Sequence, residues 1–383
     1  MGSALKTPAV AEPKKSAAQR PRLREATLDD HSQIAALESR YGLSAKNYEE
    51  WTHIHVDHPL QPADQRVWPI GWVIENENKD VVGSVGNVPL AYEFEGRQLL
   101  AVSGRALVVE PAYRSAALLL LDCLMNQRGV ELFVTNAITP SSTPAFDALA
   151  CLRVPVGEWD KSAFWITHHQ GFLASLLSQK KIPCSRPLSY PLAAAAYLKD
   201  ALTKTALHPG DVEIQPCKNF DDRFDDFWEA LKSRNPHLLL AVRSREILAW
   251  HFKYALISNR LWIGAVTDGP RLAAYAIFDR RDNPALGLRR VRLVDFQSLD
   301  GTTTLLAPLV SWALKKCRHE NIHMLENVGR WMEENELVRR MAPYTRRLST
   351  WTCVYRAANI ALAEKLRDRR VWSPTQFDAT SSL

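Results

Sequence analysis

From Pro21 onward the apolar positions follow two periods, one of two residues and one near 3.6. Pro21 to Ala26 predicts a short strand that ends in Thr27-Leu28-Asp29-Asp30, an acidic cluster suited to cap a helix through Ile34, Leu37 and Glu38. Tyr48 and Trp51 share a face of a second helix, Ala45 to about His55, with Pro59 beyond its end. Gly71 to Glu75 and Val81 to Phe94 flank the polar turn Asn76 to Asp80 and predict a strand hairpin. Leu99 to Val109 is a further strand, stopped by Glu110-Pro111. A helix over Ala116 to Gln127, a strand over Glu131 to Asn136 and a short helix over Pro144 to Leu149 follow. Val154 to Thr167 is expected to supply the closing strands of this first unit.

The rhythm then changes. Gly171 to about Gly210 is rich in Ser, Ala, Pro and Leu, and it is too long for a bare loop, so one or two helices are expected in it. After it the first order of elements returns. Val212 to Pro216 is a strand, Phe220 to Leu231 a helix opened by Asp221-Asp222, and Glu246 to Tyr254 a second helix carrying Trp250. A hairpin begins at Leu261-Trp262-Ile263. The strand Val291 to Phe296, the helix Thr303 to Arg318, the strand His323 to Asn327 and strands around Leu348 to Tyr355 complete it. Trp51 and Trp250 hold matching places, as do Trp72 and Trp262, which predicts two copies of one unit. The expected division is a disordered tail (1–20), a first unit (21–167), a helical connector (168–210), a second unit (211–358) and a C-terminal helix and tail (359–383).

Composition narrows the function classes. The chain has 383 residues and a net charge of +6, spread thinly, which argues for acidic small molecules or solubility rather than nucleic acid. The cysteines never stand in CxxC spacing, so no zinc knuckle or redox pair is expected, and a reducing cytoplasm is the natural compartment. No window approaches 18 uninterrupted apolar residues, and Met1 to Arg22 has charges and prolines where a signal peptide needs an apolar stretch.

The order strand, two helices, hairpin, long strand, helix, strand, helix, strand resembles the GNAT acyltransferase superfamily, here in tandem. The resemblance implies an α/β fold of two GNAT-like units, each a mixed, mostly antiparallel sheet flanked by helices. Its most specific piece is Leu107-Val108-Val109-Glu110-Pro111-Ala112-Tyr113-Arg114-Ser115, which looks like the family's fourth strand entering its acyl-CoA pyrophosphate loop. A strand, a turn and a helix N-terminus present backbone N–H groups to an anion, and Arg114 adds a positive charge. The resemblance implies a cofactor, acetyl-CoA or another acyl-CoA, held by Val108, Val109, Arg114, Ser115, Ala116, Ala117 and Leu118, with Asn136, Ser142 and Phe146 toward the pantetheine and adenosine side. The family's glycine positions hold Ala117 and Leu119, and Phe146 stands where its tyrosine general acid falls. The second copy has Gln297-Ser298-Leu299-Asp300-Gly301 at the equivalent loop, where Asp300 would repel pyrophosphate, so cofactor binding is assigned to the first copy.

Acyl transfer needs a base for the amine proton and a donor for the leaving thiolate. Glu110 and Tyr113 are the candidates for these roles, against the plainer alternatives of an exposed strand-end carboxylate and a loop-packing ring. Trp51 and His55 sit on the helix facing the expected acceptor cleft. Asp295, Gln297 and Glu326 end neighbouring strands of the second copy and are further acceptor candidates, or else core-edge residues satisfied locally. His53 and His55 are two apart on a helix and cannot chelate together, so no metal site is expected. The function expected is transfer of an acetyl or other acyl group from coenzyme A to a small-molecule amine or amino-sugar acceptor, with no nucleic-acid partner. The alternatives are an aminoacyl-tRNA-dependent transferase of the peptidoglycan-bridge type and a non-catalytic binding module.

Overall fold

The computed structural model of the protein describes residues 21–60, 68–136, 138–139, 141–182, 185–203, 212–333, 336–348 and 352–383. The expected tail 1–20 and part of the connector lie outside them. The first half runs β1 (Arg22–Glu25), α1 (His31–Arg40), α2 (Tyr48–His55), β2 (Gly71–Glu75), β3 (Val81–Phe94) and β4 (Arg97–Val109). It continues through α3 (Ala117–Met125), β5 (Leu132–Thr135), α4 (Thr143–Ala148), β6 (Leu152–Arg153) and β7 (Glu158–Ile166). Two helices, α5 (His169–Gln179) and α6 (Ser185–Thr203), form the connector. The second half is β8 (Gln215–Cys217), α7 (Asp222–Arg234), β9 (Leu240–Ala241), α8 (Arg245–His251), α9 (Lys253–Ile257), β10 (Leu261–Asp268) and β11 (Arg271–Arg280). After these come β12 (Arg290–Ser298), α10 (Leu306–His319), β13 (Met324–Gly329), α11 (Leu337–Met341), β14 (Tyr344–Arg347), β15 (Val354–Ala357) and α12 (Ile360–Lys365).

The strands form two mixed sheets flanked by helices. The first has the order β1-β2-β3-β4-β5-β15-β6 with β9 beside β3, and the second β14-β7-β13-β12-β11-β10-β8. Neighbours are antiparallel except β4 with β5 and β12 with β13. The closing strands differ from expectation, because each half closes the other's sheet. β7 pairs with β13 and β14 in the second sheet, while β15 pairs with β5 and β6 in the first. Packing accounts for the choice: Ala163 and Trp165 of β7 enter the core beneath α10, and Tyr355 of β15 enters the core shared by both sheets.

That shared core is the main reason the halves adhere. Tyr92, Leu99 and Leu132 of the first sheet and Ile263, Tyr275 and Ile277 of the second belong to one buried cluster. Between them lies α7, which presents Phe224, Phe227, Trp228 and Leu231 at helical spacing, each worth about 1.5–3 kcal/mol of burial. Asp221 caps this helix, its side chain accepting from the Arg223 amide, as the paired aspartates lead one to expect. α3 and α10 cover the outer faces of the two sheets. The matching helices α2 and α8 meet directly. The Trp250 indole donates to the His53 carbonyl at 3.2 Å, and His53 Nε2 lies 3.0 Å from the Trp250 carbonyl. Among the described residues no helix is long and apolar enough to cross a membrane.

Candidate active site

The site is built where β4 stops behaving as a regular strand. Its pairing with β3 slips between Ser84 and Gly86, so that Gly86 opposes Arg105 while Ser84 opposes Val108. Ala106 takes up the extra length in the left-handed region, with φ of 53°. A bulge of this kind bends the strand and re-aims the side chains beside it. On its other edge β4 pairs with β5 only at Ala101↔Leu132 and Val102↔Phe133. Beyond those pairs the two parallel strands part and leave a wedge between Ser103–Val109 and Val134–Asn136.

The wedge is bridged at one level by Gln376–Ser382. Asn136 Nδ2 donates to the Gln376 carbonyl at 3.3 Å, and Thr380 Oγ1 donates to the Gly104 carbonyl at 3.0 Å. This segment is fixed by a buried network in which Arg243 donates to both oxygens of Asp295, at 2.8 and 3.1 Å, and to Asp378 at 3.0 Å. Thr375 Oγ1 adds a bond to Asp295 at 2.8 Å. Burial pushes the Asp378 carboxyl upward, and the Arg243 guanidinium opposes that push. The Ser103 hydroxyl and Asn136 Oδ1 are buried at the wedge without a hydrogen-bond partner among the described residues.

At its far end β4 runs into a 3-10 turn, Pro111–Ala116, and then α3. The Tyr113 amide is bonded to the Glu110 carbonyl and the Ala117 amide to the Arg114 carbonyl. Arg114 and Ser115 are exposed, and Leu118 and Leu119 project from the first turn of α3. Among the described residues Arg114 has no carboxylate within ion-pair distance. Ala117 is half-buried, Ala116 is buried, and Val109 and Tyr113 pack against the cluster beneath α3. Glu110 accepts from Arg40 at 2.5 Å. Val108 is buried under α1, and Ser142 bonds to Thr139 on the surface. Phe146 is buried, its ring stacked on Phe133 with centroids 6.1 Å apart. Its phenyl group fills core space and offers no proton.

On the opposite face of the sheet a small cavity lies under α1 and α2. Glu38, Trp51, His55, Ser84, Gly86 and Arg105 line it. Here two of the expected acceptor residues come together, with the Trp51 and His55 rings 5.1 Å apart. His55 Nδ1 lies 3.0 Å from the Asn87 carbonyl, and burial, with Arg105 adding repulsion, pushes the ring down to about 3, so it is neutral at ordinary pH. The other three expected acceptor residues lie elsewhere. Asp295 belongs to the Arg243 network, and Gln297 Nε2 donates to it at 3.1 Å. Burial favours the protonated form of Glu326, yet Arg292, Arg290 and Arg346 outweigh it and bring the carboxyl down to about 2. Its closest contacts are Arg292 and Arg346, both at 2.6 Å. These networks hold the second sheet and the seam together and do not open into the cavity holding Trp51 and His55.

Two charged cavity residues, Glu38 and Arg105, were not among the sequence-derived candidates. Glu38 is 3% exposed, Arg105 approaches it at 3.6 Å, and burial pushes its carboxyl upward against that guanidinium. Both carried a signal: Glu38 falls one turn after Ile34 on the apolar stripe of α1, and Arg105 is the one charge within Leu99–Val109.

No family model and no curated protein matches this sequence. The fold does match solved structures. A GCN5-related N-acetyltransferase from Anabaena variabilis superposes with a TM-score of 0.52 at 13% identity, covering 89% of this chain and 73% of the other. One from Kribbella flavida gives 0.54 at 12% identity, covering 89% and 71%. Saccharomyces cerevisiae N-myristoyltransferase with bound myristoyl-CoA and inhibitors gives 0.54 at 11% identity, covering 93% and 87%. At these identities the likeness is one of fold.

Proposed function

We propose that this chain, which has the fold of the GNAT superfamily, transfers an acetyl or other acyl group from coenzyme A to an amine, with the cofactor held by the first sheet. The observation that carries the reading is the wedge: two parallel strands that part after two residue pairs, beside a bulge, on a strand that leads into a helix N-terminus with Arg114 exposed. A thioester laid in the wedge would put its pyrophosphate near Arg114 and the α3 amides, where the helix dipole favours an anion. The matching strands β12 and β13 also part, but Asp300 follows β12 and its charge repels phosphate.

In the reaction the amine nitrogen attacks the thioester carbonyl, the N–C bond forms, the C–S bond breaks and coenzyme A leaves as a thiolate. Glu110 is engaged by Arg40, so we place the base at Glu38, a buried carboxylate next to the bulge. It takes the proton that the amine loses, and the Ser103 hydroxyl is available to hydrogen-bond the departing sulfur.

Isothermal titration of the full chain with acetyl-CoA tests the assignment. One site per chain is expected. Arg114→Glu should weaken it at least tenfold, about 1.4 kcal/mol, by setting a negative charge at a helix N-terminus. Unchanged affinity in the folded variant would put the pyrophosphate elsewhere. Tight binding without acylation of any amine would favour the binding-module alternative, to which the buried Phe146 lends some weight.

A further inference from the structure

Basic side chains from both halves converge on the bulge of β4. Arg105 donates from Nη2 to the Ser44 carbonyl at 3.5 Å, two residues before Lys46. From the second half, Arg281 Nη2 donates to the Ser382 carbonyl at 2.6 Å, and the same segment reaches the Gly104 carbonyl through Thr380. Arg260 lies beside them, 3.6 Å from Asp279. The acidic groups are fewer. Arg281 and Arg260 share Asp279, Arg105 has Glu38, and among the described residues no carboxylate lies within ion-pair distance of the half-buried Lys46. Burial favours neutral Lys46, repulsion from Arg105, Arg281 and Arg260 adds to that, and the attraction of Glu50 and Glu38 opposes it. The cavity next to this cluster also holds the Ser84 hydroxyl, 2% exposed and without a hydrogen-bond partner among the described residues. Removing more positive than negative charge from water is unfavourable, and a bound anion relieves the excess.

We propose that the acceptor amine also carries an anionic group, a carboxylate or a phosphate, which Arg105, Lys46 and Arg281 hold beside Glu38. This rests on the acyl-transfer reading and names its substrate class. The anion held here is distinct from the cofactor's own pyrophosphate. Val109 is four positions beyond Arg105 on β4, at most about 13 Å at the regular strand rise, and the Arg114 turn lies further on. The guanidinium fork of Arg105 suits a planar carboxylate or a phosphate, and the Ser84 hydroxyl supplies another donor. An acceptor anchored this way presents its amine toward Glu38 and the wedge, which is the orientation that acyl transfer requires.

The test uses the full chain, acetyl-CoA and two matched amine pairs, glycine against glycinamide and phosphoethanolamine against ethanolamine, with thiol release as the readout. At least one anionic member should exceed its neutral partner in kcat/KM by tenfold or more, and whichever pair responds identifies the anion. Lys46→Gln should bring that ratio toward one by raising KM, while acetyl-CoA affinity, titrated separately, stays unchanged. Equal kcat/KM within both pairs, or a ratio untouched by Lys46→Gln, overturns the proposal. Failure of acetyl-CoA to bind would instead sink the acyl-transfer reading. In that event inorganic phosphate is titrated into the Arg114→Glu chain with and without Lys46→Gln. Binding lost only with Lys46 keeps the anion site, and no binding removes it.

Discussion

Two carboxylates with opposite environments show how single residues divide between chemistry and support. Glu326 was a candidate for acceptor binding from its place at a strand end, yet three arginines surround it. Its carboxyl falls from the ordinary 4.5 to about 2 in the folded chain, so its contribution to stability is present above about 4.5 and is lost as pH falls toward 2. Glu326→Gln leaves the arginines without their shared counter-ion and should cost about 3–5 kcal/mol, read as a lower urea midpoint at neutral pH. A midpoint equal to the parent's would return Glu326 to the list of acceptor groups. Glu38 shifts the other way, pushed up by burial against the pull of Arg105, His31 and Lys46. As a base it must be ionised, so the acid limb of kcat/KM should lie above the ordinary carboxylate range. Glu38→Gln should abolish that limb and lower kcat about a hundredfold. An unchanged acid limb in the variant would assign the base elsewhere.

At the level of elements, periodicity told what each stretch would become and was silent on partners. The hairpin β2–β3, the long strand β4 and helices α1, α2, α3 and α7 fall where their apolar spacing put them. The exchange of β7 and β15 could not be read, because the apolar run Ala163–Ile166 at the end of β7 would suit the core of either sheet. The bulge was equally hidden. Ala106 has no compositional mark of a residue with φ of 53°, since alanine is not the residue such a turn selects. One trace was present, the glycine opposite. A Cβ on Gly86 would come within 3.0 Å of His55 Cε1 and 3.3 Å of the Arg105 carbonyl. Gly86→Ala should therefore push the His55 ring off β3 and disturb the bulge, costing about 1–3 kcal/mol and raising KM for the acceptor. Parent-like stability and KM would mean that α2 accommodates the methyl group by moving as a body.

For the molecule as a whole, the decisive feature is that neither half owns all the strands of its sheet. A cut between Thr167 and Asp211 leaves β7 on the first piece, where Ala163 and Trp165 lose the core beneath α10. The first piece also loses β15, exposing the edge of β5 along Leu132–Thr135. The second piece lacks β7 between β13 and β14, so its sheet is interrupted rather than merely shortened. Both pieces expose the seam cluster in which Tyr92 and Leu99 meet α7 and Tyr275, together with unpaired strand edges that invite aggregation. The wedge suffers as well, because the segment bridging Gly104 and Asn136 comes from the second piece. Expressed singly, 21–167 and 211–383 should be insoluble or lack a cooperative unfolding transition. Expressed together, they should associate one to one and regain acetyl-CoA binding, since the missing strands and the bridge are then supplied in trans. Two separately soluble halves, each unfolding at the midpoint of the full chain, would contradict this. If the first also bound acetyl-CoA alone, the bridge between Gly104 and Asn136 would contribute nothing to cofactor binding.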